Sequence, residues 1–225
     1  MDPAKIAQLL LATPVLSALS PQDGQELAAH CRLRRVRRGQ LLFSEGDPAD
    51  SLLVVVSGRL RVLITSAEGG ELVLSMLNAG DALGEVGCFD GGTRSAGVEA
   101  LQDSTVLQLP AADLLAVVER RPEVARNLLG ELASELRRLT GVTADLVFLD
   151  VPRRVAKLLV KEFEQSGNNS LELVETQGQL GARIGGTRQS VNSALAALER
   201  RGWIEVSGRH IGTRDLAALR RFSES

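Results

Sequence analysis

The sequence predicts an α+β protein in which a β jelly-roll barrel precedes a long helix and a winged helix-turn-helix, and three observations support this prediction. Short apolar runs separated by Gly, Asp, Asn and Ser fill the chain from about residue 30 to 109, and evenly spaced short strands are typical of barrels and double sheets. Apolar residues then recur every three or four positions from 122 to 149, as in an amphipathic helix. After residue 176, two short helical segments around a glycine turn precede a hairpin.

The N-terminal part is expected to contain short helices around the barrel. Residues 4–20 predict a short helix broken at Pro14, and residues 111–119 predict another after the last strand. The predicted strands are 40–43, 52–57, 60–64, 71–77 and 105–109, with Gly- and Asp-containing turns between them. The first predicted domain therefore covers residues 1–121.

Composition excludes several classes of protein. The 225 residues include two cysteines, Cys31 and Cys88, and two histidines, His30 and His210. Two cysteines cannot form a disulfide framework or supply the four thiolates of an iron–sulfur cluster, so we expect buried or half-buried thiols and no metal site. The longest apolar runs are as short as strands, and the N-terminus lacks the pattern of a secretory signal. We therefore expect no membrane segment and a cytoplasmic protein.

The stretch from Gly84 to Ala96 has the composition of a binding site. Its glycines allow backbone N–H groups to approach a ligand closely, in a helix-like turn that we expect to interrupt a strand pair. The planar guanidinium of Arg94 is suited to an anionic phosphate, whereas the Glu85 carboxylate only accepts hydrogen bonds and suits ribose hydroxyls. The pattern favours a phosphate–sugar cradle. The alternative is a long hairpin loop in which Arg94 pairs with Glu85.

The second predicted part, residues 122–150, is a long helix ending in a hinge. Its apolar stripe consists of Val124, Leu128, Leu132, Leu136, Leu139, Val142 and Leu146. Such a helix is roughly 40 Å long at about 1.5 Å per residue, which is longer than one small barrel can cover. We expect part of the stripe to pack against the same helix of a second chain in a parallel dimer. Burial within the chain's own second domain is the alternative.

The third predicted domain, residues 151–225, is basic. It holds 12 Lys and Arg against 8 Asp and Glu, whereas residues 1–150 hold 14 against 20. Asp150 is expected to cap a helix over 153–165, followed by a polar loop over 165–170. Thr176 begins the next helix through a capping box, and that helix ends near Ile184. Thr187 caps a second helix after a glycine turn, and a hairpin over 203–211 and a helix over 215–222 complete the domain.

The second helix of this pair presents side chains whose chemistry suits DNA. Its apolar residues Val191, Ala194, Leu195 and Leu198 predict a buried face, which leaves Arg188, Gln189, Ser190 and Ser193 on the other face. Arg188 can donate two hydrogen bonds to the O6/N7 edge of guanine, and Gln189 can pair with adenine. The hydroxyls of Thr176, Thr187 and Ser190 can hold phosphates. The alternative is a solvated polar face.

These parts, in this order, resemble the family of bacterial transcription factors that contains the cyclic-AMP receptor protein and the fumarate-nitrate regulator. The resemblance covers about residues 15 to 215 and depends on three motifs: Gly84-Glu85 with Arg94-Ser95-Ala96, the helix end Phe148-Leu149-Asp150-Val151, and Thr187-Arg188. It implies a homodimer that binds a cyclic nucleotide in its barrels and a two-fold symmetric DNA site through its C-terminal domains, with RNA polymerase as a further partner.

The resemblance also implies roles for individual residues. Glu85 is similar to the acceptor of the ribose 2′-hydroxyl and Arg94 to the partner of the cyclic phosphate. The implied ligand set is Gly84, Glu85, Val86, Arg94 and Ser95 in the barrel, with Leu139 and Thr140 on the long helix. The implied DNA-binding set is Thr176, Thr187, Arg188, Gln189, Ser190 and Ser193. The nucleotide is an effector rather than a cofactor.

Four positions depart from the family pattern. Leu139 stands where cyclic-AMP-binding relatives have a threonine that contacts adenine, and Thr140 stands at the neighbouring serine position. Cyclic AMP is favoured, and cyclic GMP stays open. Gln189 and Ser193 replace a glutamate and an arginine of the DNA-reading helix, so a different target sequence is expected.

The same residues leave one alternative regulator open and argue against two other functions. A regulator of this fold that is ligand-independent, or that responds to a cyclic dinucleotide or to redox, is the alternative. A nucleotide-binding module without DNA function is disfavoured by the basic C-terminal domain. An enzyme is not expected, because no nucleophile elbow, metal-ligand cluster or Walker-type loop is present.

Overall fold

The structure is a computed structural model that describes residues 1–173 and 175–224. The chain forms two compact units, one made of residues 1–65 and 74–137, the other of residues 66–73 and the chain from 138 onward. The predicted α+β class is confirmed, since a two-sheet β structure, helices and a winged helix-turn-helix follow one another along the chain. Within the described ranges, no helix is long and apolar enough to cross a membrane.

Two helices precede the barrel. Helix α1 spans Pro3–Ala12 and a 3-10 turn spans Pro14–Leu16, so the predicted break at Pro14 is confirmed. Helix α2, Pro21–His30, was not predicted, although the sequence signals its start. The Ser20 hydroxyl accepts from the Asp23 N–H at 3.1 Å, and the Asp23 carboxylate accepts from the Ser20 N–H at 3.1 Å. This reciprocal capping box satisfies two N–H groups that a helix start leaves unpaired.

Eight strands form the barrel in the part of the chain that the structure describes. They are β1 (Arg32–Val36), β2 (Leu41–Phe43), β3 (Ser51–Ser57), β4 (Arg59–Thr65), β5 (Glu71–Asn78), β6 (Ala82–Leu83), β7 (Gly97–Ala100) and β8 (Ser104–Pro110). One sheet has the order β1-β8-β3-β6 and the other β2-β7-β4-β5. The five predicted strands are found within one residue at each end, while β1, β6 and β7 were not predicted individually.

The two sheets enclose an apolar core. Val36, Leu53, Val55, Leu83 and Val106 come from the first sheet, and Leu42, Leu60, Leu77, Val98 and Ala100 from the second; all are buried together in one cluster. Alternating residues of a strand point to opposite faces, so each strand contributes every second side chain to this layer. Facing sheets with a shared core confirm the predicted jelly-roll architecture.

The expectation of an interrupted strand pair around residue 84 was wrong in one respect. A short helix α3, Glu85–Asp90, does separate β6 from β7. However, β6 pairs with β3 in the first sheet and β7 with β2 and β4 in the second. The stretch therefore crosses between sheets instead of returning along one, and a jelly roll needs such crossings to close.

Helices α4, Ala111–Arg120, and α5, Pro122–Phe148, follow the barrel at the predicted positions. Val124 and Leu128 of α5 are buried in a cluster with α1, α2 and α4. Leu129, Leu136 and Val147 are instead 65%, 67% and 69% exposed. The most exposed apolar side chains of α5 therefore include three that lie outside the predicted stripe: Leu129, Val147 and Phe148, which is 78% exposed.

The remaining elements belong to the second unit. They are α6 (Val151–Ser166), β9 (Ser170–Glu172), α7 (Gln177–Ile184), α8 (Arg188–Arg200), β10 (Ile204–Ser207), β11 (His210–Thr213) and α9 (Leu216–Glu224). Asp150 caps α6, accepting from the Arg153 N–H at 3.0 Å, as predicted. Strand β9, part of which was predicted as loop, joins the wing in a sheet of order β10-β11-β9. Buried residues of α6, α7, α8 and α9 share one core with Ile204 and Ile211 of the wing.

Candidate functional site

The turn between β6 and α3 is built by glycine. Gly84 adopts a left-handed conformation with φ +86 immediately before the six-residue helix α3. A Cβ atom at this position would lie 2.1 Å from Nη1 of Arg94, and one at Gly87 would lie 2.2 Å from the Cβ of Ala49. Side chains at either position would therefore collide with the walls of the turn. The glycines bring the backbone and Arg94 into direct contact, which supports their predicted place in a cradle.

Arg94 is the buried cation of this turn, with 5% of its surface exposed. Its Nη2 donates to the carbonyl oxygen of Ser51 at 2.9 Å and to the Ser51 hydroxyl at 3.3 Å, while Nη1 donates to the carbonyl oxygen of Gly84 at 3.2 Å. Its guanidinium carbon lies 4.5 Å from the centre of the Phe43 ring. Buried Nε has no hydrogen-bond partner among the described residues. A buried guanidinium held by neutral acceptors, with a free donor, is equipped to receive an anion.

Glu85, the first residue of α3, is half-buried and does not pair with Arg94. Burial raises the pKa of the Glu85 carboxyl, and the carboxylate of Glu135 raises it further, whereas its own backbone hydrogen bond and Arg94 lower it. No ion pair between Glu85 and Arg94 is found within residues 1–173 and 175–224. The hairpin-loop alternative predicted that pair, so the geometry does not favour it. Val86 is 45% exposed and Ser95 is also exposed.

Three side chains that the sequence did not reveal support the turn, two from neighbouring strands and one from α3. Phe43 provides the ring beneath Arg94, and Ser51 provides two of its acceptors. Cys88 is buried, and its Sγ donates to the Gly84 carbonyl oxygen at 3.3 Å. Burial raises the pKa of the Cys88 thiol to about 11, so it stays protonated and able to donate at neutral pH. The Gly84 carbonyl therefore has a second donor besides Arg94.

The two long-helix residues of the predicted ligand set belong to the second unit. Leu139 is half-buried and Thr140 is exposed on α5.

The two cysteines are shielded from solvent: Cys31 is half-buried and Cys88 is buried, as the composition predicted. Burial raises the pKa of the Cys31 thiol to about 12. Among the described residues, no three His, Cys, Asp or Glu side chains are grouped so that they could hold a metal ion.

The predicted helix-turn-helix is formed by α7 and α8. Thr176 caps α7 through the Gln179 N–H at 3.3 Å, and Gln179 Oε1 accepts from the Thr176 N–H at 2.9 Å, so the predicted capping box is confirmed. Gly185 ends α7 in a left-handed conformation with φ +63. A Cβ at Gly181 would lie 2.8 Å from the carbonyl oxygen of Gly186. Glycine at 181 and 185 therefore permits the close turn between the two helices.

Helix α8 presents a polar face, as the sequence predicted. Arg188, Gln189 and Ser193 are exposed, and the opposite face is buried through Val191, Ala194, Leu195 and Leu198. Neither a hydrogen bond nor an ion pair holds the Arg188 side chain in the described ranges. A guanidinium at the exposed start of a helix, with its donors free, can reach a base edge in the major groove.

The three hydroxyls predicted to hold phosphates serve first as helix caps. Thr187 Oγ1 accepts from the Ser190 N–H at 3.1 Å, and Ser190 Oγ accepts from the Thr187 N–H at 2.8 Å and donates to the Thr187 carbonyl oxygen at 2.8 Å. Thr176 caps α7 in the same way. The O–H of Thr176 donates to Gln179 Oε1 at 3.1 Å and that of Thr187 donates to Ser190 Oγ at 3.3 Å, so a phosphate contact by either of these exposed residues would replace that bond. Half-buried Ser190 is the least accessible of the three.

A buried ion network fixes the position of α7. Arg183 donates to Glu175 Oε2 at 2.6 Å and to Glu162 Oε1 of α6 at 2.7 Å. The side chain of Arg183 is 14% exposed and that of Glu175 6% exposed.

A cleft of about 470 Å³ separates the start of α7 from the wing, and Thr176, Arg188 and Arg209 are among the residues that line it.

Comparison with known proteins gives matches along most of the chain. A family described as "Cyclic nucleotide-binding domain" matches residues 33–121, and one described as "Crp-like helix-turn-helix domain" matches residues 153–222. The CRP-like cAMP-activated global transcriptional regulator of Mycobacterium tuberculosis is 33% identical over 189 residues, covering 82% of this chain and 84% of the relative. The cyclic AMP receptor protein of Thermus thermophilus is 30% identical over 207 residues, covering 92% and 95%.

Solved structures show the same similarity. A variant of CooA from Carboxydothermus hydrogenoformans superposes with a TM-score of 0.74 at 26% identity, covering 87% of this chain and 88% of that one. The barrel and the helix-turn-helix thus occur together in relatives of similar length.

Proposed function

Because this chain belongs to the CRP/FNR family of bacterial transcription regulators, we propose that it is a homodimer whose DNA binding is controlled by a cyclic nucleotide in the barrel. The family places a cyclic nucleotide-binding domain before a DNA-binding helix-turn-helix. The relatives are transcription regulators, and the chain is not an enzyme.

The buried guanidinium of Arg94 is the observation on which the proposal depends. A charge taken out of water is costly unless it is paired, and the partners of Arg94 are two carbonyl oxygens, one hydroxyl and an aromatic ring. A cyclic phosphate would place a negative charge in direct contact with the guanidinium and would give Nε an acceptor. The N–H groups at the start of α3 and the Ser95 hydroxyl would complete the cradle.

The Glu85 carboxylate would bind the ribose. As an ionised group it only accepts hydrogen bonds, so it suits the 2′-hydroxyl and rejects a second phosphate. Val86, next to it on α3, is exposed and would contact the ligand. Cyclic AMP is the favoured effector because two relatives are named for cyclic AMP. Leu139 cannot donate or accept a hydrogen bond to adenine, which keeps cyclic GMP as the second candidate; Thr140 would read the base.

The exposed face of α5 supports the dimer. Leu129, Leu136 and Val147 are each about two-thirds exposed, and with Ala133, Thr140 and Thr143 they recur at spacings of four and three. A helix row of this spacing is the seam of a two-stranded coiled coil. A second copy covering it would bury the apolar surface that a monomer leaves in water.

DNA contact is proposed for the polar face of α8. Arg188 would read guanine, with Gln189 and Ser193 at neighbouring bases, while Thr176, Thr187 and Ser190 would lie near phosphates. In a two-fold dimer the two α8 helices would enter successive major grooves, about 34 Å apart. Ligand binding would shift the population toward the dimer form with that spacing. The bound regulator would then contact RNA polymerase in the cytoplasm.

A ligand screen tests the effector. The full chain is heated with cyclic AMP, cyclic GMP or a cyclic dinucleotide, and its melting temperature is recorded. A ligand at about one hundred times its dissociation constant stabilises the folded state by about 2.7 kcal/mol, which we expect for cyclic AMP. The Arg94→Ala variant should show no shift. A chain that melts at the same temperature with every cyclic nucleotide would contradict the proposal and favour a ligand-independent regulator.

A further inference from the structure

The ion network of α7 joins side chains from three places in the second unit. Arg183 lies near the end of α7, Glu162 lies on α6, and Glu175 directly precedes Thr176, the cap of α7. Arg183 donates from Nη1 to Glu175 Oε2 at 2.6 Å and from Nη2 to Glu162 Oε1 at 2.7 Å. One guanidinium therefore binds two carboxylates, and the network carries one more negative charge than positive charge.

The two glutamates of this network differ in their access to water. The side chain of Glu175 is 6% exposed and that of Glu162 is 31% exposed. A charge taken out of water is costly unless it is paired. Within residues 1–173 and 175–224, Arg183 is the only cation that lies within 4 Å of Glu175. Glu175 therefore depends on Arg183 more strongly than Glu162 does, because water can reach Glu162.

Glu175 also lines the cleft between the start of α7 and the wing. Arg188 and Arg209 line the same cleft. Nε of Arg209 donates to the carbonyl oxygen of Leu173 at 2.9 Å. The side chain of Arg188 has neither a hydrogen bond nor an ion pair among the described residues. An anion and an unpaired cation thus share one cleft, and the anion is bound to Arg183 instead.

The choice of partner for Glu175 matters for reading a base. A carboxylate binds an arginine through the same fork of N–H groups that an arginine uses for the O6/N7 edge of guanine. An Arg188 side chain paired with Glu175 would have those donors occupied. With Arg183 bound at 2.6 Å, Glu175 is half of a neutral pair and attracts Arg188 weakly.

We propose that Arg183 is a positioning residue for DNA binding, which holds the Glu175 carboxylate away from Arg188 and so keeps the Arg188 guanidinium available for a base. The proposal rests on the role of α8 in DNA binding argued above, and it adds a residue that acts without contacting DNA. Without Arg183, the unpaired cation in the cleft becomes the partner of Glu175. The competing explanation is that the network only fixes α7 on α6.

The test uses two double variants of the full chain that carry the same charge. Arg183→Gln removes the cation and keeps a hydrogen-bond donor. It is combined either with Glu175→Gln or with Glu162→Gln, so that both double variants break the network and have the net charge of the wild-type chain. Only the second one leaves an unpaired carboxylate in the cleft. Affinity is measured for a two-fold site selected from random DNA by the wild-type chain.

The two double variants are expected to differ. Arg183→Gln should bind the site at least about tenfold more weakly than the wild-type chain, within the range of about 5- to 150-fold for loss of a base-reading arginine. Adding Glu175→Gln should restore the affinity to within about threefold of the wild-type value, whereas adding Glu162→Gln should not restore it. Equal affinities of the two double variants would overturn the proposal, because a network that only fixes α7 is broken in both.

A double-mutant cycle tests whether Arg183 acts through Arg188. Arg183→Gln should weaken DNA binding in the wild-type chain and have no further effect in the Arg188→Ala variant, because the side chain that Glu175 captures is then absent. Losses that add in the double variant would contradict the proposal. The base preference should relax at the same position in Arg183→Gln and in Arg188→Ala.

Two controls separate this proposal from folding and from the function of α8. Every variant is melted first, and DNA binding is measured well below the lowest melting temperature. If Arg183→Gln does not fold, a series with methionine at the same positions replaces it, since apolar replacements of buried ion networks are often neutral or stabilising. If Arg188→Ala weakens binding while the two double variants agree, only the role of Arg183 is wrong. If Arg188→Ala binds as the wild-type chain does, the proposed reading by α8 is wrong as well.

Discussion

Replacing Arg94 with alanine is expected to weaken cyclic-nucleotide binding by at least about a hundredfold. A hydrogen bond to a charged group contributes about 1.5–3 kcal/mol, so a two-bond contact with phosphate is worth about 3–6 kcal/mol, or a factor of roughly 10² to 10⁴. In the structure the same donors are already bonded to Ser51 and Gly84. Part of that interaction is exchanged rather than gained, which is why we expect the lower end of the range.

The same substitution should also lower the stability of the barrel. It leaves the carbonyl oxygen of Ser51 without its Arg94 donor, whereas the Gly84 carbonyl keeps the Cys88 thiol at 3.3 Å. An unsatisfied buried polar group costs about 1–3 kcal/mol. Val106→Ala is a suitable control, because Val106 is fully buried between the sheets and its truncation is expected to cost about 1–3 kcal/mol as well.

Calorimetric titration with cyclic AMP and cyclic GMP distinguishes the two effects. Each variant is first melted, and the titration is run well below its melting temperature. Val106→Ala should bind the nucleotide as the wild-type chain does, and Arg94→Ala should not. Undiminished affinity in Arg94→Ala would refute the phosphate role of this residue. Equal losses in both variants would show that destabilisation, and not a missing contact, explains the result.

Three further predictions concern the DNA, the dimer and pH. Arg188→Ala should cost about 1–3 kcal/mol of specific DNA binding and relax one base position; an unchanged sequence preference in a selection experiment would contradict this. Leu129→Glu with Leu136→Glu should give monomers in sedimentation experiments, whereas Arg126→Glu should leave dimers. Because burial raises the pKa of Glu85 above its ordinary 4.5, nucleotide affinity should fall as the pH falls through that raised value, and Glu85→Gln should bind with a flatter pH profile.

The raised pKa of Glu85 should also change how the free energy of unfolding depends on pH, which stability measurements can check. A carboxyl with a raised pKa binds its proton more tightly in the folded chain than in the unfolded chain. Its contribution to the free energy of unfolding therefore increases as the pH falls and decreases as the pH rises. Nucleotide affinity should move in the opposite direction, since only the ionised carboxylate is a pure acceptor.

The strands that the sequence predicted are those with continuous or alternating apolar residues. Strand β3 is buried along most of its length and was found within one residue. Strand β1 was missed because four of its five residues are exposed and three are arginines. Strand β6 has two residues, too few for any period to show. Whether such segments form strands depends on their position at a sheet edge and on their pairing partners, and the local sequence shows neither.

The candidate ligand site was predicted where its residues are close in sequence. Gly84 and Arg94 are ten positions apart and belong to one turn, so their chemistry could be read together. Phe43 and Ser51 reach Arg94 from β2 and β3, across 51 and 43 positions. Nothing in their neighbourhood marks them as functional, since a Phe and a Ser at strand ends are common. Only the fold brings them together.

The phosphate role of the helix-turn-helix hydroxyls stays a prediction. Thr176, Thr187 and Ser190 were assigned to phosphate because of their position before and within the α8 face. In the structure each is part of a capping box. The capping pattern was predicted from the sequence for Thr176 and Thr187; their hydroxyl oxygens accept from helix N–H groups, while their O–H groups donate to Gln179 Oε1 and Ser190 Oγ, bonds that a phosphate would replace. Of the three hydroxyls, that of Ser190 is the least suited to a phosphate contact, because it is half-buried and donates to the Thr187 carbonyl oxygen.

The most direct test of ligand-controlled DNA binding is the affinity of the purified chain for a selected two-fold DNA site, measured with and without saturating cyclic AMP or cyclic GMP. The wild-type chain should bind at least about tenfold more tightly with one of these nucleotides, which corresponds to a coupling of about 1.4 kcal/mol. Arg94→Ala should bind the site with the same affinity in every condition. A wild-type chain whose DNA affinity is equal with and without each nucleotide would contradict control by a cyclic nucleotide.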